Sequence, residues 1–456
     1  MIRRKNSFRS GINRIPAQGI YLVSLGCPKN LVDSEVMAGC LAAGGVPLNL
    51  DPETARYYLI NTCAFLPSAR NESALAIGDG VRWKMRRPDE RRLIVAGCLV
   101  QHREFAAFRE RFPEVDFWSG VDGVPEILAN LEKTGGDQHG HGDTPRYLYE
   151  ATTPRLQLTL PHVAYLKIAD GCANRCSYCS IPNLRGTVRS RSMDSVLTEA
   201  RNLLAGGVRE IILIAQDTTA YGYDRSDGAN LAGLVRELDR LDGDFQVRIL
   251  YTHPAHYTDE LIDCLAKSRH TLPYLDIPLQ HIHDDILRTM GRRCTADGTR
   301  KLLDKLRAAI PQLTLRTTFI TGLPGEGDAE FAELLEFVRV QRFDRLGVFA
   351  YAPEPGTPAA AMPNRVETAV AEARAREILK LQETISLARN QSLLGRTLTV
   401  LADETEGRKA IGRSAADAPE IDNSVIFGAR KRLEAGKFYQ VRITRAEAFD
   451  LYGEVC

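Results

Sequence analysis

The sequence predicts an α/β protein in three parts: an amino-terminal parallel α/β domain, a partial (β/α)6 barrel and a small antiparallel β-barrel at the carboxyl end. Three observations carry this. Short β-branched or aromatic runs alternate with helical patterns over most of the chain, as in a parallel sheet covered by helices. A polar, glycine-rich stretch, "KTGGDQHGHGDTPR", interrupts that alternation. After about residue 393 the pattern changes to short alternating strands, "RTLTVLADE", "SVIFGA" and "KFYQVRITRAEAFDLYGEVC".

A chain of 456 residues exceeds one small core, and two to four domains are expected. Composition is that of a globular protein, 44% apolar and 26% charged. The 59 basic and 58 acidic residues leave a net charge of +1, so nothing global demands a nucleic-acid partner. No apolar run approaches the ~18 residues of a membrane span. Residues 1–18, "MIRRKNSFRSGINRIPAQ", are basic without the apolar core of a secretory signal; a disordered tail is expected, with a transit peptide as the lesser alternative. Ten cysteines without regular framing should be reduced thiols or metal ligands in a cytoplasmic protein.

In residues 19–132, three apolar runs each end in a cysteine: "GIYLVSLGC" at Cys27, "ARYYLINTC" at Cys63 and "RRLIVAGC" at Cys98. They recur at intervals of 36 and 35 residues, about one βα unit. Three thiols therefore fall at the carboxyl ends of neighbouring parallel strands, the edge at which open α/β sheets bind ligands. Any one of them reads as a small residue packing at a strand end; three at equivalent positions read as one metal or cluster site. Cys40 and Cys264 lie in helical stretches, Cys294 in a loop and Cys456 at the terminus, and these are expected to be structural or incidental. Residues 133–160 read as a linker, with His139 and His141 as solvated residues rather than ligands.

Residues 161–392 should form the partial barrel. Its strands are "HVAYLKIADGC", "EIILIAQDT", "QVRILYTHP", "LPYLDIPLQHI", "LTLRTTFITGLPGE" and "RLGVFAYAPEPG", with helices such as "MDSVLTEARNLLAGG" between them and a long helical run at about 366–393. Residues 393–456 supply the small β-barrel.

At the end of the first barrel strand stands "ADGCANRCSYCS", with Cys172, Cys176 and Cys179 at gaps of four and three. A 4Fe-4S cluster takes four ligands, usually four cysteines; three leave one iron open to a substrate or cofactor. A zinc site would need a fourth ligand, and His162 precedes the strand, at its far end.

This loop resembles the signature of radical S-adenosyl-L-methionine enzymes. The resemblance implies that the open iron chelates the cofactor's methionine part and that an electron from the cluster cleaves it to a 5′-deoxyadenosyl radical. Over residues 19 to 456 the chain is similar to the methylthiotransferases, which join a three-cysteine amino-terminal domain, a radical barrel and a TRAM-type β-barrel. By motif match Cys27, Cys63 and Cys98 would hold a second 4Fe-4S cluster that supplies or carries sulfur. "VSLGCPKNLVDSE", "YLKIADGCANRCSYCSIP", "AQDTTAYG", "YLDIPLQH" and "GRSAADAPEID" look like the branch that modifies an aspartate β-carbon of small-subunit ribosomal protein S-twelve. The other branch modifies an adenosine in transfer RNA and usually carries Gly-Cys-Gln-Met-Asn where this chain has "GCPKN".

The charge of the last segment agrees with a protein substrate. Residues 395–456 hold ten Lys/Arg and ten Asp/Glu, whereas a barrel gripping RNA should be basic. The acidic loop "DAPEID", with Asp417, Glu420 and Asp422, is expected to face a basic protein surface; the plain alternative is a solvated turn. The chain departs from the family at Ala415, at Asn423 (usually glycine, so positive φ is expected there), and at Thr252 and His253. Candidate cofactor contacts are Tyr178, Gln216, Thr318 and Gly322, each of which could equally serve barrel packing. A radical removes the hydrogen, so no acid–base pair is expected. The implied partners are S-twelve, free or in the small subunit, an electron donor and a sulfur source, with no membrane and with RNA contact only through the ribosome. Transfer-RNA modification, or a non-enzymatic ribosome-associated iron–sulfur protein, are the alternatives.

Overall fold

The computed structural model describes residues 19–456, so the basic tail lies outside the described residues. The first unit is a five-stranded parallel sheet in sequential order, β1 (Ile20–Ser24), β2 (Tyr57–Thr62), β3 (Arg92–Gly97), β4 (Phe117–Ser119) and β5 (Asp137–Gln138). Strand β2, "YYLINT", is buried along its whole length, because helices cover both faces. One face packs Ile60, Val95 and Trp118 against Ile77 and Trp83 of helix Pro67–Met85. The other packs against helix Pro28–Ala43, whose Val32, Val36, Met37 and Leu41 are buried. That helix is sandwiched: the same apolar cluster continues into Val163, Tyr165 and Ile212 of the second unit and Leu401 and Ala418 of the third. At about 1.5–3 kcal/mol for each buried aliphatic side chain, this cluster joins all three parts firmly.

The stretch expected to be a solvated linker is mostly exposed, His141 included, but it is pinned to the units at a few points. Asp137 and Gln138 form β5, beyond them Gln101 donates to the His139 carbonyl at 2.6 Å, and His141 Nδ1 lies 3.0 Å from the Gln101 carbonyl. Further on, Tyr149 is buried, and the buried Arg155 guanidinium bridges Glu35 of the first unit and Glu199 of the second. The anchors themselves are a paired charge and an aromatic, which polar composition does not single out.

The second unit is an open sheet of six parallel strands, β6 (Val163–Lys167), β9 (Glu210–Ile214), β10 (Gln246–Ile249), β11 (Thr271–Asp276), β12 (Thr314–Thr321) and β13 (Arg345–Ala350), in that order across the sheet. A two-stranded ribbon, β7 (Ala169–Asp170) with β8 (Arg189–Ser190), frames the three-cysteine loop. Strands β6 and β13 do not pair, so the barrel is partial. Helix Thr368–Gln391 covers the β13 end through Ala371, Ile378 and Ile385.

The third unit is a closed barrel of β14 (Thr397–Glu406), β15 (Lys409–Ser414), β16 (Ser424–Gly428), β18 (Asp450–Val455) and β17 (Phe438–Ala446). Four of its neighbouring pairs are antiparallel and β16–β18 is parallel. Strand directions cannot alternate around a ring of odd number, so one parallel pair is unavoidable.

The acidic loop of this barrel is neither a solvated turn nor a surface for a basic partner; it plugs the amino-terminal end of the radical barrel. Asp417 pairs with buried Arg345 at the start of β13 and accepts from Ser414 Oγ at 2.6 Å. Asp422 accepts from Tyr274 Oη at 2.6 Å and lies 3.4 Å from Arg316. Arg413 reaches Glu210, already held by Arg248 at 2.7 Å, and Asp403, which also meets His162 at 3.1 Å. Only Glu420 of the three loop acids is exposed, and the loop's positive φ, +67°, falls on it and not on Asn423. Sequence alone could not pair Asp417 and Asp422 with arginines 72 and 106 positions away in the chain.

Candidate active site

Cys27, Cys63 and Cys98 stand immediately beyond the carboxyl ends of β1, β2 and β3. The registers Ser24↔Asn61 and Thr62↔Gly97 keep those ends level. Cys27 caps helix Pro28–Ala43 and Cys98 opens the short helix Cys98–Gln101. Two glycines make the approach possible. A Cβ on Gly26 (φ +86°) would lie 2.8 Å from the Cys63 sulfur, and one on Gly97 (φ +98°) 2.3 Å from Asn61 Oδ1. Asn30 ties the loops together, its amide donating to Leu25 O at 2.7 Å and to Asn61 O and Thr62 O at 3.3 Å.

Burial pushes the Cys98 thiol up to about 12 and raises Cys63, while the positive charge of Arg185 opposes both. Arg185 is itself buried, and its Nε donates to Cys98 Sγ at 3.3 Å. A buried cation aimed at a sulfur is stable where that sulfur is a thiolate, the form that ligates metal. Three such thiols with an arginine behind them fit the corners of an iron–sulfur cluster.

The other trio occupies one loop. Gly171 (φ +77°) starts it, and a Cβ there would sit 2.1 Å from Thr187 O. Cys172 N donates to Gly186 O at 3.1 Å, Cys179 N to Cys176 O at 3.1 Å, and Ser177 N to Met290 O at 2.8 Å. Burial raises Cys172 to about 11 and Cys179 to about 12. Both also feel Cys176, so the three sulfurs share one small region. Asn174, between the first two cysteines, donates to Asp217 at 2.7 Å, and Asp217 also receives His256 Nδ1 at 2.8 Å. Asp217, His253 and His256 bring one ligand atom each to within 4.8 Å of one another. Sequence reasoning noted His253 only as a departure; here it stacks on His256 at 4.8 Å in a brace behind the cysteine loop.

Between the trios lies a buried charge cluster that sequence reasoning missed. Arg185 Nη1 donates to Asp33 at 2.5 Å and to Asp170 at 3.1 Å, and Nη2 to Asn30 at 3.0 Å. Lys167 bridges the same two aspartates. These cations hold Asp170 far below the usual carboxylate range against the cost of its burial. Asn30 and Asp33 sit in the "CPKNLVD" stretch, so a signal was present, but their partners come from "LKIAD" and "PNLRG" in another unit.

Of the candidate cofactor contacts, Tyr178 and Gln216 join this region. Tyr178 packs with Met290 and Leu323, and Arg292 reaches its hydroxyl at 3.4 Å; Gln216 donates to Asp170 at 2.7 Å. Thr318 lies on β12, where its carbonyl accepts from Gln280 N at 2.8 Å. Gly322 (φ +78°) is required by close packing: a Cβ would meet Ala371 Cβ at 2.2 Å, and its N–H donates to Glu326 at 2.8 Å. Among the described residues no helix is long and apolar enough to cross a membrane.

Comparison with known proteins agrees with this geometry. Residues 19–120 match the Uncharacterized protein family UPF0004, residues 166–338 the Radical SAM superfamily and residues 394–456 the TRAM domain. Among solved structures, the chain is similar to the radical S-adenosylmethionine methyltransferase TsrM from Kitasatospora setae. The TM-score is 0.55 at 14% identity, over 75% of this chain and 74% of that one, which shows the shared fold. Two curated relatives are both named ribosomal protein uS12 methylthiotransferase RimO. That from Desulforamulus reducens is 43% identical over 96% of this chain and 99% of its own length. That from Syntrophus aciditrophicus is 45% identical over 96% and 98%. With identity at this level along nearly its whole length, the chain belongs to the family of uS12 methylthiotransferases of the RimO type.

Proposed function

We propose that this protein is a radical S-adenosyl-L-methionine enzyme that methylthiolates the β-carbon of an aspartate in ribosomal protein uS12. Cys172, Cys176 and Cys179 would hold one 4Fe-4S cluster, and Cys27, Cys63 and Cys98 a second. When bound, the first supplies the electron that cleaves the cofactor and the second the sulfur that is inserted. The observation that carries the reading is the meeting of two cysteine trios from different units across one buried, fully paired charge cluster.

The chain's own residues set the stage for that chemistry. Helix Pro28–Ala43 directs its amino end at Cys27, where the positive end of the helix dipole favours thiolate. Lys29 lies 3.3 Å over the Tyr251 ring, its ammonium made less basic by burial, and adds positive potential beside Cys27. Tyr178, packed with Met290 and Leu323, forms an apolar wall beside Cys176 and Cys179. Gln216, oriented by Asp170, keeps a buried and unpaired Oε1 that is available to the bound cofactor.

Relatives named for uS12 favour a protein substrate over transfer RNA. The acidic loop no longer contributes to that argument. Internal pairs occupy three of the module's ten acids, Asp403, Asp417 and Asp422, and one of its ten bases, Arg413, which leaves the exposed surface slightly basic. We place the protein in the cytoplasm, where its substrate is made, with an electron donor and a sulfur source as further partners. Mass spectrometry of uS12 from cells with and without the gene is the test. A methylthio mass increment on one aspartate, present only with the gene, is expected. Unmodified uS12 alongside altered transfer RNA would move the assignment to the other branch.

A further inference from the structure

Arg185 belongs to one trio by position and to the other by contact. It lies six residues after Cys179, on helix Ile181–Arg185, and the next residue, Gly186, accepts from Cys172 N at 3.1 Å. Its guanidinium leaves that loop and meets the amino-terminal unit, with Nε 3.3 Å from Cys98 Sγ. Three of the four remaining N–H groups are fixed on Asp33, Asp170 and Asn30, and the side chain is 3% exposed. The fork therefore has no freedom to swing away from the sulfur.

We propose that Arg185 is a positioning residue that sets the reduction potential of the amino-terminal cluster through its Nε–H···Sγ bond to Cys98. This rests on the reading that Cys27, Cys63 and Cys98 hold that cluster. A donor to a ligating sulfur withdraws negative charge and favours the reduced state, so the bond raises the potential. Because the same residue ends the loop of the other trio, any shift of that loop alters the bond, and the state of one site is felt at the other. Lysine would keep the charge but lacks the planar fork that serves the aspartates and the sulfur together.

The experiment isolates the amino-terminal cluster by replacing Cys172→Ala, Cys176→Ala and Cys179→Ala, followed by anaerobic reconstitution and a redox titration monitored by EPR. Arg185→Lys in that background should lower the midpoint, read as at least a tenfold fall in the reduced-to-oxidised ratio at fixed poise, which is about 59 mV for one electron. An unchanged midpoint at full iron content overturns the proposal. Absence of iron in the parent protein, with Arg185 intact, instead overturns the cluster reading. Should Arg185→Lys fail to fold, the parent protein still decides. With arginine labelled by nitrogen-15, pulsed EPR of the reduced cluster should show coupling to one guanidinium nitrogen, and its absence rejects the contact.

Discussion

The two cysteine trios answer one chemical demand in opposite ways. Cys172, Cys176 and Cys179 are gathered by a single loop, closed by local backbone bonds such as Cys179 N to Cys176 O. Cys27, Cys63 and Cys98 are gathered by a sheet, and depend on two strand registers, two left-handed glycines and an asparagine that stitches the loops. The first arrangement has its ligands side by side in one loop and needs tertiary contacts such as Ser177 N to Met290 O only to brace it, whereas the second is a property of the folded domain. A site written in contiguous sequence tolerates imperfect tertiary structure; a site written in register does not.

The most severe way to break the comparison is to remove one ligand from each trio. Cys176→Ala should abolish reductive formation of 5′-deoxyadenosine. Cys63→Ala should leave that cleavage measurable and abolish sulfur insertion into uS12. Chromatography of the nucleoside and mass spectrometry of the protein read the two outcomes, and fully methylthiolated product from Cys63→Ala would end the division of labour.

Breaking the buried staple between the second and third units comes next. Asp417→Asn leaves Arg345 buried without its charge partner, a loss of about 3–5 kcal/mol. Thermal melts should show it, while cofactor cleavage by protein that remains folded should persist.

The support of the register-built trio is sharper to probe than its ligands. Gly97→Ala forces a side chain into φ +98° against Asn61 and should cost about 1–3 kcal/mol. Reconstituted protein should lose iron from the amino-terminal cluster first, with the Cys172 loop still loaded, as EPR of the two signals would show.

The smallest effect is a change of pH slope in acid. Arg248 and Arg413 hold Glu210 below its ordinary value of 4.5 although burial pushes the other way. A carboxyl depressed in the folded state contributes stability above the unfolded value and loses it as pH falls through the folded one. Melts of the apo-protein should therefore differ little in pH slope between wild type and Glu210→Gln above pH ~5, and diverge below ~4.5.

How much of this was legible follows the same division. Strands such as "YYLINT" and "EIILI" announce themselves because a buried parallel strand is apolar throughout. The cysteine trios were legible from local spacing in one case and from the spacing of βα units in the other. What joins the units was not. Arg155, Arg185, Arg345 and Arg413 read as ordinary surface charges, since nothing local distinguishes a cation that will be buried against a distant carboxylate. The acidic loop failed for that reason, its Asp417 and Asp422 matched to residues far away in the chain.

That plug has a consequence for biosynthesis. During translation the six strands of the radical barrel emerge before the loop at 413–423 exists, and Arg345 waits at its amino-terminal rim for a carboxylate supplied more than 70 residues later. Until then a guanidinium destined for the interior must remain hydrated, and the floor of the barrel cannot close. The final module thus acts as the last stone of a vault.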